Sequence, residues 1–417
     1  MTTGGAALRP GGAEVEHPGC CAASASWPKR ADQELSSSPG MRRTWLLWWA
    51  RALCLLVGLL LLALAAGCGE ATKVAPRALT HEYSPAGSGC GPTFGPYHAG
   101  LWPDGCWRPY SSASPFNQPL PAHPELMHNS RAIVASVLAS GPASEIEVGA
   151  RPATALWGHP IYYAQTTDPL YRVHCTYSAE YGPCGLEGVL VHVPAGAQPS
   201  GGSDAHMAVI DQQTGWEYDM WRVHRPSGAG GRLVIGYGGR TRIDGTGLGS
   251  AATAADFALG AGIIRAQELE DGNINHALFM TVPCVSRHFV YPAQGNGWEC
   301  GGGSPAPPMG ARFQLAMSPA QIARLPVPGW KKTILRAMAR YGMFVGDTGG
   351  SGWSVYVESG QSYWSFGVVD PMLTFAQQVD APYSRHRGQY LFDLQDGVNW
   401  ARYLRIVAPC VTRANCR

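Results

Sequence analysis

The sequence predicts a mainly β fold, an antiparallel β-sandwich or jelly-roll-like single domain with a few helices. The 417 residues include 53 Gly and 33 Pro, which favour many turns and short strands over a helical bundle. Short alternating or β-branched segments, each closed by Pro, Gly or Asp, follow one another between residues 156 and 300. Two segments, 125–140 and 329–342, have the apolar periodicity of helices.

Composition divides the chain into four segments. Residues 1–40 are rich in Gly, Ser and Ala without periodicity, and we interpret them as disordered or as a misassigned start. Residues 41–68 begin with Met, carry three arginines around the start of an apolar run and end at Cys68, which is the layout of an export signal. Residues 69–108 form a Gly/Pro-rich linker, and residues 109–417 are the predicted β-rich globular domain.

The end of the export signal resembles a bacterial lipoprotein signal, in which the cysteine is lipidated and becomes the mature N-terminus. This resemblance implies lipidation of Cys68 and an exported protein, anchored at the outer face of the cell membrane or extracellular. Ala65 stands three places before the cysteine, where Leu is the usual residue. An uncleaved anchor helix and ordinary cleavage after residues 63–65 are the alternatives.

The cysteines that follow Cys68 form an even set of eight. The simplest connectivity joins neighbours in the sequence, which predicts the disulfides Cys90–Cys106, Cys175–Cys184, Cys284–Cys300 and Cys410–Cys416. The oxidising surroundings of an exported chain favour such bridges. A zinc site is the alternative, but the sequence has no CxxC or HxxxH pattern, and we expect neither a metal nor another cofactor.

Several functional classes have little support in the sequence. Only 14% of the residues are charged and the net charge is +2, so no electrostatic footprint for a nucleic acid is present. The sequence also has no GxSxG, no HExxH, no EF-hand loop and no GxGxxG after a strand. Serine hydrolase, zinc peptidase and nucleotide-binding chemistry are therefore disfavoured.

The segment 206–223 contains the most specific candidate site. Two strands joined by the loop 212–215 would pair Asp211 with Trp216 and Ala208 with Asp219, and would place apolar side chains on one face. The opposite face then carries His206, Glu217, Asp219 and Trp221. A carboxylate pair can act on a glycosidic bond, histidine can move protons and tryptophan can stack on a sugar. The alternative is an ordinary solvated sheet face.

Five further polar residues are candidates: Tyr341, Arg312, His276, Asp211 and Asp347. Tyr341 would serve as a catalytic base, and Arg312 would neutralise a substrate carboxylate or brace a loop. We expect the remaining three to contribute to substrate binding. Their structural alternatives are a buried histidine bonded to backbone and two aspartates that form turns.

The segments GSDAHMAVID, GWEYDMW, GIIRAQELEDGNINHALFMTVP, PPMGARFQLAMS and KKTILRAMARYGMFVGDTGG occur in this order. Over residues 201–352 they resemble an uncharacterised family of secreted bacterial proteins with the motifs GSDxHxxVxD, GxxxHAL, PPMGxRF and YGMxxxD. Asp219 stands where that family has Glu, and residues 348–350 replace its Asn-Gly-Ser. The resemblance implies an exported globular domain without supplying a reaction. Matching positions are His206, Asp211, Asp219, His276, Arg312, Tyr341 and Asp347.

These observations predict an extracellular, lipid-anchored, carbohydrate-active protein, a polysaccharide lyase or a glycosidase. The 14 Trp and 17 Tyr of this weakly charged chain are suited to stacking on sugars, with core packing as the alternative. The expected partners are a polysaccharide and, through the N-terminus, the membrane. The alternatives are a non-catalytic glycan- or protein-binding module and a purely structural envelope protein.

Overall fold

A computed structural model describes residues 94–149, 157–224, 230–303, 305–386 and 388–416. The predicted export signal with Cys68, and Cys90 with the first predicted disulfide, lie outside these ranges. In the part of the chain that is described, strand outweighs helix at 26% against 19%, which confirms the mainly β fold. Packing begins ahead of Pro109, because Trp107 is already buried in the core.

The described ranges contain fifteen strands. They are β1 (Ile146–Val148), β2 (Ile161–Ala164), β3 (Leu170–Cys175), β4 (Leu190–His192), β5 (Met207–Asp211), β6 (Trp216–Trp221), β7 (Gly231–Ile235), β8 (Tyr237–Arg242), β9 (Leu278–Val282), β10 (Arg312–Leu315), β11 (Met343–Thr348), β12 (Ser354–Val355), β13 (Tyr383–Ser384), β14 (Gln389–Phe392) and β15 (Leu404–Val407).

The helices within the same ranges are short. They are α1 (Ser130–Ala139), α2 (Ser178–Tyr181), α3 (Ala266–Glu270), α4 (Pro319–Ala323), α5 (Gly329–Arg340), α6 (Gln361–Trp364), α7 (Pro371–Gln378), α8 (Trp400–Tyr403) and α9 (Pro409–Thr412), with a 3₁₀ turn at Pro115–Asn117. None of these helices has the length and apolar character needed to cross a membrane.

The strands form four sheets. We call them the central sheet (β2-β5-β6-β8), the outer sheet (β4-β3-β7), the large sheet (β12-β9-β11-β10-β15) and the small sheet (β1-β14-β13). Most neighbouring strands are antiparallel, but β2 with β5, β3 with β7 and β9 with β11 are parallel. The sandwich is therefore mixed rather than purely antiparallel.

The β5–β6 hairpin has the predicted register. Asp211 pairs with Trp216 and Ala208 with Asp219 across the four-residue loop. Its apolar face, which includes Met207 and Tyr218, packs on the outer sheet in one hydrophobic cluster. The predicted apolar face is thus confirmed as core.

The opposite face of the central sheet is also covered. Ile161, Ala208 and Ile210 on this face belong to the larger hydrophobic cluster, which extends into the large sheet. Glu217 and Asp219 lie on the same face and have no exposed surface. The central sheet is therefore buried on both sides, and its polar residues lie inside the core rather than in solvent.

Both predicted helices form, with shorter bounds. α5 ends at Arg340 because Gly342, at φ 78°, turns the chain into β11, and a Cβ there would lie 2.5 Å from the Phe313 carbonyl oxygen. The segment 231–242 divides at Gly236 into β7 and β8, which belong to different sheets. A Cβ at Gly236 would meet Arg222 Cβ at 2.9 Å, so only glycine permits this close approach.

Three predicted disulfides are confirmed: Cys175–Cys184, Cys284–Cys300 and Cys410–Cys416. Each closes a loop of 16 residues or fewer on the surface of the fold. Their presence is consistent with an oxidising, exported environment.

Replacing Cys284 and Cys300 together by Ser should lower the free energy of unfolding by about 3 kcal/mol, because the bridge closes a 16-residue loop in the unfolded chain. Urea unfolding at neutral pH without reductant measures the difference. Replacing Cys410 and Cys416, which close only 6 residues near the C-terminus, provides the matched control with a smaller loss. An unchanged midpoint in the first variant would contradict a stabilising role for that bridge.

Candidate functional site

A groove of about 870 Å³ opens on the surface, lined mainly by segments 142–149, 203–204 and 347–360. Seven acidic residues line it: Glu145, Glu147, Asp204, Asp347, Glu358, Asp370 and Asp393. Trp157, with 47% of its surface exposed, contributes an aromatic wall. Among the described residues that line this acidic groove, there is no Lys, Arg or His. Its charge therefore favours neutral or cationic ligands over anionic ones.

Asp347, the penultimate residue of β11, lies in this groove with a partly exposed side chain. Its carboxylate accepts a hydrogen bond from the backbone N–H of Thr348 at 2.7 Å. Burial by the surrounding protein raises the pKa of Asp347 to about 7, and the charge of Asp204 adds to the shift against the hydrogen bond from Thr348. Asp347 therefore holds a proton up to near-neutral pH.

Asp204 is held in place by the end of β6. Its Oδ1 accepts a hydrogen bond from the Trp221 indole at 3.1 Å, and its carbonyl accepts one from the Arg222 backbone at 2.7 Å. Two neighbouring non-glycine residues adopt positive φ angles, Ala205 at 40° and Arg222 at 52°. Backbone strain of this kind persists where the surroundings enforce it and is concentrated at functional sites.

Glu358 and Asp370 form a second, more deeply buried acidic pair in the groove lining. Glu358 accepts a hydrogen bond from Tyr363 Oη at 3.0 Å, and Asp370 caps α7 by accepting one from the Met372 backbone at 2.9 Å. Burial raises the pKa of Glu358 to about 7 despite its hydrogen bonds and the nearby Arg265. Burial also raises the pKa of Asp370 to about 7.

His206 lies in the core rather than in the lining of the groove. Its ring lies 4.9 Å from the ring of His159, which in turn lies 4.9 Å from the ring of Tyr356, a groove residue. Each histidine bonds a backbone oxygen, that of Ala252 at 3.1 Å for His206 and that of Leu259 at 2.9 Å for His159. Burial lowers the pKa of both rings, so both are neutral imidazoles at pH 7.

Glu217 and Asp219, which we call the buried acid pair, lie side by side in the core. Tyr110 Oη donates a hydrogen bond to Glu217 at 2.7 Å, and the backbone N–H groups of Gly260 and Leu259 donate to Glu217 and Asp219 at 2.9 and 3.1 Å. Burial and the adjacent Glu217 raise the pKa of Asp219 well above its usual value. The pair therefore retains a proton, and neither member lines the groove.

His276 belongs to a buried ionic cluster. Its Nε2 lies 2.9 Å from Glu268, and the guanidinium of Arg265 lies 3.6 Å from the same carboxylate. Arg265 also donates to the carbonyls of Asp104 and Trp107 at 2.9 and 2.7 Å. Burial alone would raise the pKa of Glu268, but His276 and Arg265 outweigh it and lower the pKa. The structure thus places His276 in a brace that ties the N-terminal part of the domain to α3.

The other candidates lie apart from the groove or at its edge. Arg312 donates to the carbonyl oxygen of Tyr341 at 2.8 Å and to that of Gln118, and burial lowers its pKa to about 9. Tyr341 is buried at the end of α5.

Asp211 accepts two backbone hydrogen bonds at 3.0 Å within the hairpin turn. Trp221 does not line the groove, but its indole N–H donates a hydrogen bond to Asp204, which does.

In the described part of the chain, one group of three potential metal ligands occurs: Glu125 with Cys410 and Cys416. Its two cysteines form a disulfide, so their sulfur atoms are already committed. The acidic residues of the groove do not converge closely enough to form such a group.

Asp204, Glu358, Asp370 and Trp157 are groove residues that sequence reasoning missed. A signal existed for Asp204, because it stands two residues before His206 in the polar segment GSDAH. No local pattern marks Glu358 or Asp370, because chain segments distant in sequence complete the groove around them.

Comparison of the chain with protein-family models, with curated proteins and with solved structures finds no match.

Replacing Glu358 by Gln and Asp370 by Asn together should stabilise the fold relative to the parent as pH rises. Folding raises both pKa values from about 4 to about 7. The folded parent therefore holds protons that the unfolded chain has released, and its stability falls as pH rises through this window. Between pH 5 and pH 8, the free energy of unfolding of the double variant should rise relative to that of the parent by an amount on the order of a few kcal/mol. Urea unfolding of both proteins across this pH range measures the difference.

Both substitutions keep the hydrogen-bond acceptors that Tyr363 and the α7 N-terminus use. Asp380→Asn is the matched control, since Asp380 lies outside the groove at φ 51°, which Asn adopts readily. Parallel pH profiles of the double variant and the parent would contradict the raised pKa values.

Proposed function

We propose that this protein is an extracellular glycoside hydrolase whose catalytic carboxyl groups are Asp347 and Asp204, and that lipid on Cys68 anchors it outside the cell membrane. The observation that carries the proposal is the juxtaposition of two carboxyl groups in one open groove, one of them protonated near neutral pH. Glycoside hydrolysis requires such a pair, with one acid and one carboxylate on the scissile bond.

Asp347 is the general acid in this proposal. A general acid must hold its proton at working pH and must release it to the leaving oxygen, which favours a pKa near that pH. Burial gives Asp347 a pKa of about 7 while its side chain remains partly exposed to the groove. The buried acid pair also retains a proton, but it lines no described cavity wide enough for a sugar.

Asp204 supplies the second carboxylate, as base toward water or as nucleophile toward the sugar. Its charge contributes to the raised pKa of Asp347, so the two groups in this groove interact electrostatically. The indole of Trp221 fixes the orientation of its carboxylate. A catalytic carboxylate needs this kind of fixed geometry, because misplacement by about 1 Å can cost a hundredfold in rate.

The charge of the groove favours hydrolysis over elimination. A lyase acting on uronates needs a cation beside the substrate carboxylate, and the described lining residues include no Lys, Arg or His. Arg312, the candidate for that task, is committed to backbone carbonyls in the core. We therefore propose glycans of neutral or amino sugars as substrates, with Trp157 stacking on a sugar ring.

Asp347→Asn should reduce hydrolysis by roughly a hundredfold or more, because it removes the transferable proton. The amide keeps an acceptor for the Thr348 N–H, so the fold should persist. The full-length protein would be incubated with xylan, β-glucan, chitosan and alginate. New reducing ends report hydrolysis, and ultraviolet absorbance reports the unsaturated products of a lyase.

Asp380→Asn serves as the matched control and should retain parental activity. Parental activity should also fall as pH rises through about 7, where Asp347 loses its proton. Unsaturated products from alginate, or full activity in Asp347→Asn, would contradict the proposal. Glycan binding without hydrolysis would instead favour a non-catalytic binding module.

A further inference from the structure

A cluster of four aromatic side chains, one exposed and three half-buried, lies beside the Asp204 edge of the groove. We call it the aromatic platform; it consists of Tyr177, Tyr181, Trp221 and Tyr237. The ring of Tyr181 lies 6.0 Å from that of Trp221 and 5.6 Å from that of Tyr237. Tyr181 keeps 61% of its surface exposed. A contiguous apolar patch that remains accessible to solvent often marks a ligand-binding surface.

A disulfide and a hydrogen bond hold the residues of the aromatic platform in place. The Cys175–Cys184 disulfide closes the loop that carries Tyr177 and Tyr181, and α2 lies inside that loop. Tyr237 Oη donates to the backbone carbonyl of Tyr181 at 3.3 Å. The disulfide and the hydrogen bond from Tyr237 therefore both hold the segment that carries Tyr181 in place.

Trp221 joins the platform to the groove. Its indole N–H donates to Asp204 at 3.1 Å, and Asp204 lines the groove. The Arg222 guanidinium lies 4.7 Å from the Trp221 ring and 5.2 Å from the Tyr177 ring, and it donates to Tyr177 Oη. The platform thus combines aromatic faces with polar hydrogen-bonding groups at its margin.

We infer that the aromatic platform is a saccharide-binding subsite that holds a sugar unit of a glycan whose next units lie in the groove. The C–H face of a sugar ring matches the negative face of an aromatic ring, and its hydroxyls match the polar margin. This inference rests on the proposed function and deepens it, because a subsite outside the groove requires an extended glycan chain rather than a mono- or disaccharide.

A second exposed aromatic supports an extended chain. Trp298 is 76% exposed and lies within the loop closed by the Cys284–Cys300 disulfide. Its backbone N–H donates to Thr348 Oγ1 at 3.1 Å, and Thr348 lines the groove beside Asp347. Two disulfide-closed loops therefore each carry an exposed aromatic residue: Trp298 is bonded directly to the groove residue Thr348, and Tyr181 contacts Trp221, which is bonded to the groove residue Asp204.

The test compares binding of hexasaccharides and disaccharides by calorimetry, using the full-length Asp347→Asn protein to prevent turnover. The probes are cello-, xylo-, laminari- and chito-oligosaccharides. Adding Tyr181→Ala should weaken hexasaccharide binding about fivefold to tenfold and leave disaccharide binding unchanged. Tyr181→Phe should bind as the parent does, because the ring remains.

Tyr181 is chosen over Trp221 because Trp221 also orients Asp204. Tyr383→Ala is the matched control, since Tyr383 is 53% exposed on the small sheet, where its ring lies 4.9 Å from that of Tyr390 instead. Equal loss for hexasaccharide and disaccharide, no loss in Tyr181→Ala, or no binding of any probe would overturn the subsite. Length-dependent loss without hydrolysis by the parent would support the subsite while contradicting the hydrolase.

Discussion

The central sheet is covered on one face by the outer sheet and on the other by the core that extends into the large sheet. This double burial controls the chemistry of the polar residues on β5 and β6. Carboxyl groups enclosed there cannot both be charged without a large desolvation penalty, so the buried acid pair keeps a proton and draws hydrogen bonds from Tyr110 and two backbone N–H groups. The same burial leaves His206 neutral. At the end of β6, by contrast, the half-buried Trp221 donates a hydrogen bond to Asp204, which lines the groove.

The elements that sequence predicted best are those with local signals. The β5–β6 hairpin follows from its alternation and four-residue loop, and α5 from its apolar spacing. The division between β7 and β8 has no such local signal, because it depends on a tertiary contact, the close approach of Gly236 to Arg222. The parallel pairing of β2 with β5 likewise joins segments that no local pattern connects.

The site was less predictable for the same reason. Sequence selected acids by their neighbours along the chain, which brought out Glu217 and Asp219 on one sheet face but gave no sign that a second layer covers that face. Asp347 was selected, and the structure places it in the groove. Its partner Asp204 comes from a segment far from Asp347 in the chain, and only the fold brings the two carboxyl groups to one cavity.

The fold separates Asp204 and Asp347, which are accessible in the groove, from Glu217 and Asp219, which are enclosed in the core. Carbodiimide labelling of carboxyl groups, read by mass spectrometry with and without a bound hexasaccharide, measures that division directly. We expect Asp204 and Asp347 to be labelled in the free protein and protected by the glycan, and Glu217 and Asp219 to remain unlabelled in both states. Labelling of Glu217 or Asp219 that the glycan prevents, with Asp204 and Asp347 unaffected, would contradict this expectation.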